Sequence, residues 1–398
     1  MKTSLSLLTA VSLLLAAAPA YAQEAPARVD EQMLPTSNQT SPGGRNITAF
    51  DRKAQTGVGG YFDIEFTQPL NGKISTFDNH RLILQASSYL HDNLFFNTEI
   101  EFEHGGLINA LTNDGELKIE QAWADYRIDD MLVARGGVVL IPFGIVNVLH
   151  DSDFRETTTR PLMASTIIPT TWMDAGFGFH GIGYPTEQMQ VSYDAYVTNG
   201  LNGTISADKG IRNARPSLAK DNNGNKALSG RLGISPWLGL DIGLNGYRGA
   251  YDVTGTQQLT MLGADATWTA GPFEVLGEYA NIMTEGGTFT SGTTATAIPL
   301  GMQGYYVEGR YRFFPEFLQS SFLGRGGGFD RATFTAFGRY GGADTDLATA
   351  GATDRNEAVI GINYRPVPTF VGKLEYQQIL DGTGKSDGAI WSSIAVGF

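Results

Sequence analysis

The 398-residue chain contains no cysteine. That excludes a disulfide scaffold, thiolate metal sites and a cysteine nucleophile. Basic residues are scarce, 28 Lys and Arg against 41 Asp and Glu, so a nucleic-acid-binding surface is not expected. Long apolar runs are also lacking. Beyond the first 22 residues none approaches the roughly 18 consecutive apolar residues that a membrane helix needs. Histidine is rare: the five are His80, His91, His104, His150 and His180. None stands in an H-E-x-x-H arrangement and no G-x-S-x-G occurs, so no enzymatic chemistry is expected. The string "GFGFHG" at 176–181 has the spacing of a dinucleotide loop, yet it alternates Gly and Phe like a strand and leads into no helix. Its small residues are expected to face inward and leave room for a folded loop. Asp151 and Asp153 form only a weak oxygen pair, so neither metal nor cofactor is expected.

The N-terminal "MKTSLSLLTAVSLLLAAAPAYA" has a basic Lys2, a short apolar run and small residues at Ala20 and Ala22. It reads as a secretory signal over 1–22, cleaved before Gln23. Residues 23–56 are polar and punctuated by Pro and Gly, a flexible periplasmic leader. The remainder, 57–398, has 11% aromatics across the whole chain and many of its 50 glycines, a composition of many short strands.

Those strands alternate. In "LFFNTEIEFE" one face carries Leu94, Phe96, Thr98, Ile100 and Phe102 while the other carries Asn97, Glu99, Glu101 and Glu103. "YYVEGRYRFF" sets Tyr305, Val307 and Tyr311 against Glu308, Arg310 and Arg312. The C-terminal "IWSSIAVGF" does the same, with Ile390, Ile394 and Val396 on one side. About sixteen such segments follow one another, and the connections alternate short and long, with 314–330 and 252–256 fitting less well. An apolar face with no domain boundary to bury it favours lipid over a water-soluble sandwich. The expected fold is all-β, a 16-stranded antiparallel transmembrane β-barrel with short periplasmic turns and longer external loops. Its last strand would pair with the first, so no polar tail is required.

The longest connection, 142–173, mixes Ile145, Val146, Leu149, Phe154, Leu162, Met163, Ile167 and Ile168 with Asp151, Asp153, Arg155, Glu156 and Arg160. A solvated loop has no use for so many apolar residues. Folded inward, it would pack on the wall while its charges line a constriction; an external loop between subunits or over the mouth is the alternative. By parity Asp63, Glu65, Glu99, Glu101 and Glu103 line the early strands, and Arg310, Arg312, Arg331, Arg339 and Lys373 the later ones, joined by Glu308 and Glu375. Acidic and basic walls on different arcs would set up a transverse field; mutually neutralised lumen charges are the plainer reading. Arg135 and Arg231 also point inward. The fourth strand is ambiguous: Lys118 and Glu120 favour one register, Asp125 and Arg127 the other.

"GGVVLIPFGIVN", then "FRETTTRPL", then "DAGFGFHG" together resemble the phosphate-selective porin O and P superfamily, most strongly over 120–200. The resemblance implies a sixteen-stranded, usually trimeric outer-membrane channel with a charged constriction on the third loop. It places Pro142, Phe143 and Gly144 at the turn into the loop, with Arg155, Glu156, Arg160 and Pro161 inside it. The basic ladder of the family's phosphate specialists is not evident in this chain. The expected function is an outer-membrane porin of a Gram-negative bacterium for small hydrophilic solutes or ions. Its expected selectivity residues are His150, Asp151, Asp153, Arg155, Glu156, Arg160, Arg135, Glu99, Glu101, Arg310, Arg312 and Arg339. Expected partners are outer-membrane lipid, the barrel assembly machinery through 390–398, the solutes themselves and two further copies in a homotrimer. A non-conducting barrel acting as an adhesin or envelope protein is the alternative, and an outer-membrane hydrolase a third. The sign of selectivity stays open: net charge favours cations, the resemblance anions.

Overall fold

The computed structural model describes residues 55–105, 115–291, 294–351 and 353–398. The expected signal segment 1–22 and the leader up to 54 lie outside them. Sixteen strands close into one antiparallel barrel. They are β1 (Gln55–Pro69), β2 (Thr76–His91), β3 (Leu94–Glu103), β4 (Glu116–Asp129), β5 (Leu132–Leu140), β6 (Met173–Gly183), β7 (Gln190–Thr198), β8 (Ala227–Trp237) and β9 (Leu240–Ala250). Then come β10 (Gln258–Ala270), β11 (Phe273–Thr284), β14 (Gly301–Phe313), β15 (Thr333–Asp344), β16 (Asp354–Val367), β17 (Phe370–Asp381) and β18 (Ser386–Gly397). A separate hairpin, β12 (Thr288–Ser291) and β13 (Thr294–Ala297), sits within the connection from β11 to β14.

Closure runs through β1 and β18, with Tyr61 opposite Gly397 and Ile64 opposite Ile394. Gly60 and Phe398 exchange both backbone hydrogen bonds, at 3.1 and 2.9 Å. The ring therefore has no free edge, the condition for a sheet to sit in hydrocarbon.

Burial is inverted relative to a water-soluble protein. Inward Asp63, Glu101 and Glu357 are almost fully buried, whereas outward Ile360 and Val307 are 64% and 56% exposed and Ile64 and Ile394 are exposed as well. So many apolar strand side chains facing bulk water would be untenable; facing lipid they are required. At the short-turn end the outer face carries a row of touching rings, Phe273, Tyr311, Phe313, Phe334 and Tyr364, with neighbouring centroids 4.9 to 6.0 Å apart. Such a band is an interface girdle.

A bulge resolves the ambiguity of the fourth strand. Glu99 pairs with Gln121 and Ile100 with Ile119, so Glu120 is the extra residue. Two registers on either side of a bulge both point inward: Lys118 meets Glu101 and Glu103 below 3.1 Å, and Asp125 meets Arg135 at 2.7 Å. A second irregularity sets Ile64 against both Asn79 and His80. It brings the successive residues His80 and Arg81 to the same face, where they reach Asp63 and Glu101.

Two expectations are corrected. Arg331 lies in the connection before β15 and is exposed, not in the lumen. The connection 314–330, expected to fit the short-turn side poorly, holds two short 3-10 turns, Glu316–Leu318 and Arg325–Gly327. The space over Gly176 and Gly178 is taken by Thr198 and Tyr196 of β7, which stand 2.8 and 2.6 Å from where a Cβ would be, and not by the long loop.

Candidate functional site

Residues 141–172 connect β5 to β6 and contain two short helices, α1 (Ile145–Val148) and α2 (Leu162–Thr166). The neck of this loop is clamped by one side chain. Asn147 donates through Nδ2 to the carbonyls of Ile141 and Trp172 at 2.8 and 3.1 Å and accepts from the Trp172 N–H at 2.7 Å. Just before it, Gly144 has φ 77°, and a Cβ there would lie 2.1 Å from a carboxylate oxygen of Glu278. Only glycine fits both demands.

The apolar residues of the loop join a core inside the barrel. Phe143, Met163, Ile167, Ile168 and Trp172 pack with Leu201, Ile205 and Ile211 of the next long connection and with Leu259, Met261, Ile282 and Met302 of the wall. Trp172 packs edge-on to Tyr247, with centroids 4.9 Å apart. Phe154 departs from expectation: it is 47% exposed and joins no core.

The rest of the loop is held by wall charges. Glu375 accepts the N–H groups of Thr158 and Thr159 at 2.9 and 2.8 Å, Glu357 that of Leu162 at 2.9 Å, and Glu278 that of Val146 at 2.9 Å. Cations satisfy the carbonyls: Lys373 donates to Ser152 O at 2.6 Å and Arg339 to Thr159 O at 3.1 Å. Arg365 donates to Asp153 O at 2.7 Å. A chain segment without helix or sheet partners must have its backbone groups paired somehow, and inward ionic side chains do it here.

No family model matches the chain. Among curated proteins, an uncharacterized protein of Aquifex aeolicus is 28% identical over 346 residues, 81% of this chain and 76% of that one. Among solved structures, the anion-selective porin from Comamonas acidovorans superposes with a TM-score of 0.55 at 11% identity, over 87% of this chain and 100% of its own. OmpF of Salmonella typhi gives 0.55 at 11%, over 86% and 98%. The outer membrane channel DcaP of Acinetobacter baumannii gives 0.51 at 11%, over 87% and 97%. The fold is a porin fold.

Within this barrel the residues singled out by sequence fall into four groups. Arg310 meets Glu308 at 2.6 Å and Glu274 at 2.5 Å, and Arg312 meets Glu274 at 2.9 Å. Arg339 lies between Glu308 and Glu357 at 3.4 and 3.3 Å. Glu156 is reached by Arg365 at 3.4 Å and Arg312 at 3.7 Å; despite its burial these cations, with Arg310, hold its carboxyl below the ordinary range. Burial, with Asp151 next to it, pushes the Asp153 carboxyl up to about 7. A second group stands apart from the loop: Arg135 pairs with Asp125, which His180 also contacts at 3.1 Å, and its guanidinium lies 3.6 Å over the Trp123 ring. The third group gathers Glu99, His150 and Asp151 beside Glu120, with Glu101 held between Arg81 and Lys118 nearby. The fourth is Arg155 and Arg160. Arg155 donates to the carbonyls of His150 and Thr158, both at 2.9 Å, and Arg160 to Thr170 O at 3.1 Å. Among the described residues neither has a carboxylate partner. Burial and the guanidiniums of Arg81 and Arg155 move Arg160 well below the usual arginine range.

Separate acidic and basic arcs are not what forms. Arg81 and Lys118 sit among Glu101 and Glu103 on the early strands, and Glu274, Glu308 and Glu357 among the arginines of the later ones. Local neutralisation is the cheaper arrangement for charges withdrawn from water. Sequence reasoning placed Glu278 on the polar face of its strand but missed Arg81, Asn147, Glu357, Arg365 and Asn363, which donates to Glu156 O at 2.9 Å. Arg81 shares its parity with the apolar Ile83, so alternation gave no sign of it. Asn147 is one amide inside an apolar run, and its clamping role depends on residues up to 25 positions away.

Proposed function

We propose that this protein is a porin of the outer membrane that lets small hydrophilic solutes or ions diffuse passively, narrowed where residues 150–160 approach β15 to β18. One observation carries the reading: a closed barrel with an apolar exterior has a charged loop bonded to its inner wall. No part of the reading calls for catalysis. His150 and His180 are bonded to carboxylates and a backbone carbonyl rather than to a hydroxyl nucleophile. The loop arginines lacking carboxylate partners favour anions at the narrowing, as in the anion-selective porin of Comamonas acidovorans, a structure of similar fold. Phosphate as the solute finds support only in the sequence resemblance. Homotrimer assembly is supported by the trimer form of Vibrio cholerae OmpT, a structure of similar fold. Strand β18, ending near Phe398, is the segment offered to the barrel assembly machinery, and a Gram-negative envelope is the matching setting.

The experiment is single-channel recording of purified, refolded protein in a planar bilayer under a salt gradient. Stable steps in groups of three with an anion-directed reversal potential are expected. Folded protein without steps would overturn the proposal and favour a non-conducting envelope barrel, for which the apolar core inside the lumen is the specific support.

A further inference from the structure

The charges on β2, β3 and β4 divide into a balanced set and an unbalanced one. Arg81 and Lys118 bridge Glu101 and Glu103 in a closed box of two cations and two carboxylates, with distances from 2.7 to 3.0 Å. Glu99, Glu120 and Asp151 are left over. Among the described residues none of the three is paired with a Lys or Arg; their polar partners are Gln121, which donates to Glu99 at 2.7 Å, and the ring of His150. Glu120 is fully buried and Glu99 nearly so. One oxygen of Glu120 and Oδ1 of Asp151 have no hydrogen-bond donor at all. Uncompensated buried carboxylates are among the costliest groups a fold can hold.

The orientation of His150 says what is missing. Its Nδ1 lies 3.2 Å from the carbonyl oxygen of Asn147, an atom that can only accept, so Nδ1 carries the proton. Nε2 then faces Glu120 Oε2 at 3.2 Å and Asp151 Oδ1 at 3.7 Å. Ligand atoms of Glu99, His150 and Asp151 all lie within 4.8 Å of one another. A neutral ring would aim a lone pair at carboxylate oxygens, which is repulsive unless a metal cation or an added proton stands between them. An imidazole whose Nδ1–H is fixed by a backbone carbonyl is the arrangement by which proteins orient a metal-binding histidine. In a tetrahedral zinc site with bonds of about 2.0 to 2.2 Å, ligand atoms stand about 3.3 Å apart; the His150 distances to Glu120 and Asp151, 3.2 and 3.7 Å, are of that size, while Glu99, within 4.8 Å of His150 and Asp151, would close in on the ion.

From this geometry we infer that Glu99, Glu120, His150 and Asp151 form a binding site for one divalent metal ion of the zinc class. The mixed nitrogen and oxygen set argues against magnesium or calcium, which take oxygen alone. Two ligands belong to the wall strands β3 and β4 and two to the loop, so the ion would fasten the loop to the wall. Zinc binding is a property of the folded barrel and stands whether or not the barrel conducts.

The test is equilibrium dialysis of Zn²⁺ against the full refolded barrel after chelator treatment, with folding checked by the heat-dependent shift in gel mobility. One zinc per chain is expected, with affinity lowered at least tenfold in His150→Ala and in Asp151→Asn, the second at a partly exposed position that folding tolerates better. His80→Gln is the control, because Asp63, Glu65 and His80 also converge; it should bind as the parent does. Replacing zinc by cobalt gives a second readout, an intense visible band from a four-coordinate site that His150→Ala abolishes. No zinc on the folded parent barrel would overturn the assignment and leave a protonated imidazole as the compensating charge. Binding unchanged in both variants, or lost in His80→Gln instead, would overturn it equally.

Discussion

Two regions of the same inner wall are built from the same alternating strands and end up with opposite chemistry. Where β9 to β14 approach the long connections, inward positions are Leu259, Met261, Ala280, Ile282 and Met302, all sealed against the loops. Further along the same strands inward positions are Asp265, Glu278 and Glu308, and on β16 and β17 they are Glu357, Lys373 and Glu375. The wall is apolar where a loop brings apolar residues to it and ionic where the loop brings bare backbone. Parity decides only that a residue points inward; what it meets there decides its type.

The comparison can be broken from its apolar side first. Trp172→Ala empties the largest fully buried side chain of the apolar region and should cost about 3 to 5 kcal/mol, read as a lowered urea midpoint for unfolding of the reconstituted barrel. On the ionic side, Glu375→Ala removes the acceptor for two loop N–H groups. Each orphaned buried donor costs about 1 to 3 kcal/mol, so the loop should loosen while the barrel remains. The measurement is channel noise and step size: both should rise, and an unchanged trace from folded protein would mean that Glu375 does not hold the loop. Arg160→Glu reverses a charge that has no carboxylate counterpart. It should swing the reversal potential towards cations with little change in unfolding midpoint. The smallest effect belongs outside both regions. Arg127 and Asp130 form an exposed pair in a short turn, and Arg127→Ala should leave stability within about 1 kcal/mol; a larger loss would place that turn in the stabilising network.

Most of the barrel could be read from the residues alone, and the reasons are local. Each of the sixteen segments chosen by alternation is a strand, with ends that differ by a few residues. Alternation at period two is a property of the strand itself and needs no knowledge of neighbours. The fourth strand shows the limit. "ELKIEQAWADYRID" contains two registers, and no single parity could describe it. The bulge at Glu120 that reconciles them is defined only against the pairing of β3.

The candidate site was legible in outline and not in its connections. Apolar residues in a long charged connection marked 142–173 as a segment needing a wall to pack on, which follows from composition alone. The separation into acidic and basic arcs failed because counting charges strand by strand ignores partners brought in from adjacent strands, such as Arg81 beside Glu101. Sequence by itself determined the strands, the facing of those without bulges and the ring they close, because alternation, turn residues and the cost of an unpaired edge act over a few positions at a time. Tertiary structure decided which wall carboxylate caps which loop amide, where the bulges fall and which charges are left unpaired. Those outcomes depend on pairs like Thr158 and Glu375, 217 residues apart, whose distance is set by closure of the whole barrel.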